Sequence, residues 1–176
     1  SKSIDHAKFG CKLLFEDNLI RDFIETKEYD KRIYDAIYYH NVFRIPTDLT
    51  EEQTMLCNVI RDADKIDIIR VNTELPFEEI YDIPKADLEN SEITPAVLAD
   101  FYEEHATRRD LKASPVDYLV GHISLAFELV YPKSRELIRK QGYLDKMMLF
   151  SSRKPKTVEE LKKIRKTMTE FLKRNR

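Results

Sequence analysis

Two histidines and one aspartate in this chain have the types and the placement to hold a metal ion. His6 stands in DHAKFG, His40 in YYHN and Asp64 in RDADKID. Neutral imidazole and carboxylate together suit Zn, Mn, Fe or Ni better than metals that prefer softer ligands. The stretch RDADKIDIIR, residues 61–70, poses the problem that leads to them. It continues a helical run holding Met55, Leu56, Val59, Ile60 and Ala63, yet it carries Asp62, Asp64 and Asp67 within six positions. Ionised carboxylates are costly to bury unless an opposite charge offsets them. A cation bound at Asp64 would supply that charge and leave Asp62 and Asp67 to support it or to face solvent.

Each of the three residues falls on a segment with helical periodicity. A first helix is expected over about 4–15, with apolar Phe9, Leu13 and Leu14. His6 lies three and four residues before Phe9 and Gly10, which puts it on the core-facing side, and Gly10 permits a close approach there. A helix over about 29–40 carries Ile33, Ala36 and Ile37 on one face, and His40 continues that face. TEEQ at 50–53 is a capping box, with Thr50 and Gln53 in reciprocal positions. The helix it opens runs to about 71 and places Asp64 four residues after Ile60, at the edge of the apolar stripe. Inward histidines also occur as satisfied core residues, and late-helix aspartates also hydrogen-bond neighbouring segments. The spacing by itself leaves these readings open beside the metal reading.

The rest of the chain is helical too. A short helix is expected over about 18–25, and residues 72–93 read as a loop with one short helix, a candidate lid. Further helices are expected over about 95–107, 115–130, 132–142 and 157–174. The last aligns Val158, Leu161, Ile164, Met168, Phe171 and Leu172 on one stripe with Lys and Arg around it. Glycine is scarce, with 3 residues, and strand-like alternation is absent, so the fold class is all-α, a helical bundle. Three segments are expected: a core over 1–71, additional helices and the lid over 72–150, and a basic amphipathic helix over 151–176. His105, in YEEHATRR, reads as solvated, and His122, in LVGHISLAFEL, as a core histidine.

The composition is that of a folded soluble domain, with 42% hydrophobic and 35% charged residues in 176. No apolar run approaches the roughly 20 residues of a membrane helix. Cys11 and Cys57 sit in apolar helical settings and read as reduced, buried thiols, which points to the cytoplasm. Charge is uneven: residues 151–176 hold ten Lys/Arg against three Glu, and the remainder is acidic. The basic helix is expected to pack on the bundle, or on a second subunit in a homodimer, rather than on nucleic acid. No nucleic-acid motif accompanies it.

DHAKFG, YYHN and RDADKID, in that order and at separations of 34 and 24 residues, resemble the later half of the HD superfamily of metal-dependent phosphohydrolases. The resemblance covers about residues 1–71. It implies that His6 and His40 complete a second position for a divalent ion (Mn, Fe, Ni, Zn or Mg), and that Asp64 ligates the first. It also implies that Asp64 and Lys65 take part in catalysis, and that Lys8, Asn41 and Arg61 contact a phosphate-containing substrate, a nucleotide above all. In that family the metal polarises the phosphoryl group and activates a water. The histidine and the His-Asp pair that precede these elements in the family are not in this chain. The expectation is therefore a fragment with an incomplete site and little activity alone. A non-catalytic helical module that binds nucleotide, nucleic acid or protein is the alternative.

Overall fold

Asp5 opens the first helix by capping it. Its Oδ1 accepts hydrogen bonds from the Ala7 N–H at 3.1 Å and the Lys8 N–H at 3.4 Å, donors that a helix start otherwise leaves unpaired. The computed structural model describes residues 5–42 and 44–174. Among these, ten α-helices form and no strand, as the periodicity predicts. By internal contacts the chain divides into two units, Ser1–Asp64 and Lys65–Arg176.

In the first unit, α1 (His6–Cys11) runs into a widened π-type turn at Lys12–Glu16. The helix expected over 4–15 is thus two pieces, and its start at Ile4 lies outside the described residues. The short helix expected over 18–25 is a single 3-10 turn, Leu19–Asp22, entered through Asn18 at φ 62°. α2 (Asp30–Tyr38) packs on α1. Ala7, Cys11 and Ala36 are buried there, and the Cys11 thiol donates to the Tyr34 carbonyl at 3.6 Å. Gly10 faces Ile37, yet a methyl at Gly10 would sit 3.6 Å from Ile37 Cγ2. That is ordinary contact, so the approach does not require glycine.

The capping box of TEEQ forms. The Thr50 N–H donates to Gln53 Oε1 at 2.9 Å and the Gln53 N–H to Thr50 Oγ1 at 3.2 Å. It opens α3 (Glu51–Glu74). The Gln53 amide also donates to the buried Asp35 carboxylate of α2 at 2.5 Å, and Lys31 pairs with the same carboxylate.

α3 faces the other way from the sequence expectation. Met55 and Val59 are each 49% exposed, and Ala63 is exposed as well. The buried stripe is instead Cys57, Arg61, Asp62, Lys65, Ile66, Ile69 and Asn72. The physical reason lies at the end of α2. The carbonyls of the turn that follows it need donors, and Arg61 supplies them to Tyr39 and His40, which places this charged side chain inward.

The second unit holds the remainder of α3 and seven further helices. Residues 72–93 contain two short ones, α4 (Phe77–Tyr81) and α5 (Lys85–Glu89). α6 (Pro95–Tyr102) and α7 (Pro115–Ser124) start at prolines whose missing N–H is no loss at a helix start. α7 continues as a 3-10 turn, Leu125–Glu128. α8 (Pro132–Gln141) ends at Gly142, whose φ of 72° favours glycine. The short α9 (Tyr143–Met148) follows, in a stretch where no helix was expected.

α10 (Pro155–Lys173) buries Leu161, Ile164, Met168, Phe171 and Leu172 in the core of this unit. The expected stripe is therefore the docking face on the bundle. Segment 151–176 is part of the second unit rather than an appendage. The Arg153 N–H and the Ser152 hydroxyl donate to the Glu89 carbonyl at 2.8 and 3.1 Å, and the Thr157 hydroxyl to the Ser91 carbonyl at 3.0 Å. These bonds tie the start of α10 to the end of α5. Cys11 and Cys57 are both free and buried. No helix among the described residues is long and apolar enough to cross a membrane.

Candidate metal centre

α1 and the end of α2 bring His6 and His40 together. Their Nε2 atoms are 2.8 Å apart and their ring centroids 4.9 Å. The His40 Nδ1 lies 2.6 Å from the Ile37 carbonyl. A carbonyl only accepts, so Nδ1 carries the proton and the lone pair of neutral His40 is on Nε2. This is the arrangement by which metal-binding histidines are commonly oriented through their second nitrogen. With a proton between them, the His6 Nε2–H donates to His40 Nε2. With His6 in the other tautomer, two lone pairs converge. Nitrogens 2.8 Å apart, each about 2.1 Å from a common point, subtend roughly 85° there, the angle of neighbouring ligands in an octahedral set. The centroid separation of 4.9 Å is that of rings facing one another across a hydrogen bond, so a shared ion would require the rings to re-aim.

The pair lies at the surface, which corrects the inward placement of His6. His6 is exposed and His40 half-buried, while Ala7 and Cys11 take the core positions of α1. The small Ala7 and the Cys11 thiol, rather than the imidazole, take the buried face of α1.

Asn41 and Lys8 join the pair through a residue that the periodicity overlooked. The Asn41 side-chain amide donates to Asp5 Oδ1 at 3.1 Å, and Lys8 Nζ lies 3.6 Å from Asp5 Oδ2. The hydrogen bond from Asn41, with those from Lys8 and Ala7, holds the Asp5 carboxyl below its usual range. Asp5 is therefore a carboxylate next to His6 in sequence and bonded to Asn41, the residue after His40. The signal was present as an Asp immediately before a helix, the residue type that caps helix starts.

The other expected residues are placed differently. Arg61 does not face a phosphate site. Its Nη1 donates to the carbonyls of Tyr39 and His40, each at 3.3 Å, and to that of Val42. Lys65 is 6% exposed, engaged by protein groups, and belongs to the second unit. Asp64 is half-buried, whereas Asp62 is 2% exposed and partnered. The deeply buried acid of RDADKID is thus Asp62. Asp67 faces solvent and pairs with Arg70 at 2.8 Å.

Among the described residues, one group of three His, Cys, Asp or Glu ligand atoms lies within 4.8 Å of one another: Asp100, Glu103 and His105. Asp64 therefore does not close on both His6 and His40 at that distance. In the group that does form, the His105 Nε2 lies 3.2 Å from Glu103 and 3.6 Å from Asp100. The hydrogen bond from Nδ1 to the Ala106 carbonyl, with those two acids, raises the affinity of His105 for a proton. The solvated reading of His105 gives way to a half-buried one. Asp100 also accepts from the Arg108 N–H at 2.7 Å, which closes the turn after α6.

The chain matches no family model, no curated protein and no solved structure.

Proposed function

We propose that this chain supplies late ligands of a divalent-metal centre in a phosphohydrolase of the HD type, acting on a nucleotide or a related phosphate ester. The observation that supports this reading most directly is the His6–His40 pair, with Nε2 atoms 2.8 Å apart and the second nitrogen of His40 held by Ile37. An ion there would polarise a phosphoryl oxygen and lower the pKa of a bound water. His6 and His40 would hold it. Asp64 is retained as the carboxylate of the neighbouring position, to be reached by a rotamer change. Asn41 and Lys8 are the polar groups beside the pair, and release of either from Asp5 would free it for a phosphate oxygen.

The test is titration of the chain with Mn²⁺ and Ni²⁺, followed by NMR of the imidazole resonances. Selective paramagnetic broadening of His6 and His40, lost in His40→Ala, is the expected result. Broadening centred on His105 instead would move the metal to the Asp100–Glu103–His105 group. No response at millimolar metal would remove the proposal. Hydrolysis of bis-p-nitrophenyl phosphate is the activity readout, and Asp64→Ala should abolish whatever metal-dependent turnover is found.

A further inference from the structure

The second unit carries a lysine-centred cluster that the metal reading does not use. Lys112 leaves the 3-10 turn Arg109–Leu111 just before α7. Its stem lies over Gly121, where an added methyl would overlap the amine and come within 2.6 Å of Cε. The Nζ stands 5.3 Å from the centroid of the Tyr118 ring. Among the described residues no carboxylate or carbonyl pairs with this amine.

The acid nearest in effect, Asp117, is already committed. It is fully buried, and its two oxygens take the Thr94 N–H at 2.8 Å, the Thr94 hydroxyl at 2.5 Å, the Ala113 N–H at 2.9 Å and the Ser114 N–H at 2.8 Å. Arg109, three residues earlier at the start of the 3-10 turn that Lys112 leaves, carries a second positive charge. It is exposed and has no ion pair among the described residues. Beside Gly121, His122 Nδ1 and the Tyr81 hydroxyl share a hydrogen bond at 3.0 Å, with the rings stacked at 5.3 Å.

We propose that Lys112 is a nucleophilic amine that captures small carbonyl compounds bearing a carboxylate, as an imine at Nζ with Arg109 pairing the carboxylate. A lysine becomes a nucleophile near neutral pH when it is desolvated or set beside another cation, and Lys112 has both conditions. Burial, then the Arg109 charge, hold its ammonium form below the ordinary lysine range, with Asp117 opposing them weakly. Burial and the Lys112 and Arg109 charges likewise push His122 down to about 4. His122 is therefore neutral, and burial keeps the Tyr81 hydroxyl protonated.

The chemistry balances without a redox partner. The amine nitrogen bonds to the carbonyl carbon, its two protons leave with the carbonyl oxygen as water, and a C=N bond replaces C=O. The pairing of Arg109 with the carboxylate selects 2-oxo acids and aldehyde acids over neutral aldehydes.

The chain is treated briefly with glyoxylate and cyanoborohydride near pH 7, which reduces any imine to carboxymethyl-lysine. Each lysine is then quantified by peptide mass spectrometry. Lys112 is expected to react several-fold faster than exposed Lys162. Its advantage should vanish when all lysines are neutral. Arg109→Gln should slow labelling by glyoxylate more than labelling by formaldehyde, which lacks the carboxylate. Gly121→Ala, which displaces the amine into water, should bring Lys112 to the rate of Lys162 with an unchanged circular dichroism spectrum. Labelling of wild-type Lys112 no faster than Lys162 overturns the nucleophile. An equal effect of Arg109→Gln on both aldehydes overturns the carboxylate class.

Discussion

Arg61 Nη1 donates to the carbonyl of His40 at 3.3 Å, and through that bond α3 holds the backbone that carries the candidate ligand. The same nitrogen reaches the carbonyls of Tyr39 and Val42, so one buried guanidinium serves the whole turn after α2. Arg61→Met keeps the stem and removes these donors, leaving partly buried carbonyls unpaired. The expected cost is about 2–4 kcal/mol in urea unfolding, in line with lost charged hydrogen bonds. A loss below about 0.5 kcal/mol would mean that water replaces the guanidinium freely.

Asp5 and Asn41 allow a local electrostatic check. Because the Asn41 amide is the leading cause of the low Asp5 proton affinity, Asn41→Ala should move the Asp5 titration up toward the ordinary carboxylate range. Carboxyl-carbon NMR across acid pH reads this directly. The sign is fixed by the hydrogen bond: a donor to the charged form favours that form, and its removal favours the proton.

Asp117 anchors the start of α7 and the start of α6 at once. Its carboxylate completes the capping box with Ser114 and takes both the N–H and the hydroxyl of Thr94. Asp117→Ala would strand four donors in a fully buried place. It should destabilise the second unit by about 3–5 kcal/mol, while Asp117→Asn, which keeps one acceptor oxygen, should cost less. Thermal unfolding of the two variants side by side makes the comparison.

His122 predicts the direction of an acid effect on stability. Its pKa falls from the ordinary 6.5 to about 4 on folding, so below 6.5 the unfolded chain binds a proton that the folded chain refuses. Stability from this residue is full above pH 6.5, declines as pH falls toward 4, and changes no further below it. The total is on the order of 3 kcal/mol. His122→Phe should flatten that part of the profile of unfolding free energy against pH. An unchanged slope would assign the acid sensitivity to other groups.

The helical class, the TEEQ cap, the proline-started helices and the apolar stripe of α10 were legible in the sequence. Each rests on local rules: the 3.6-residue repeat, a reciprocal cap three residues apart, and the fixed φ of proline. The pairing of His6 with His40 was legible as a possibility because two helix-borne imidazoles and their order along the chain are local facts. Which face of a helix turns inward is not a local fact. In α3 the exposed stripe of Met55, Val59 and Ala63 is more apolar than the buried one, and it is the carbonyls after α2 that Arg61 meets on the inward side. The placement of His6 at the surface, the commitment of Arg61 to backbone and the desolvation of Lys112 against Gly121 have the same origin. Each is set by what another segment presents in space, and a hydrogen-bonding demand from a distant residue leaves no periodic trace in the chain that meets it.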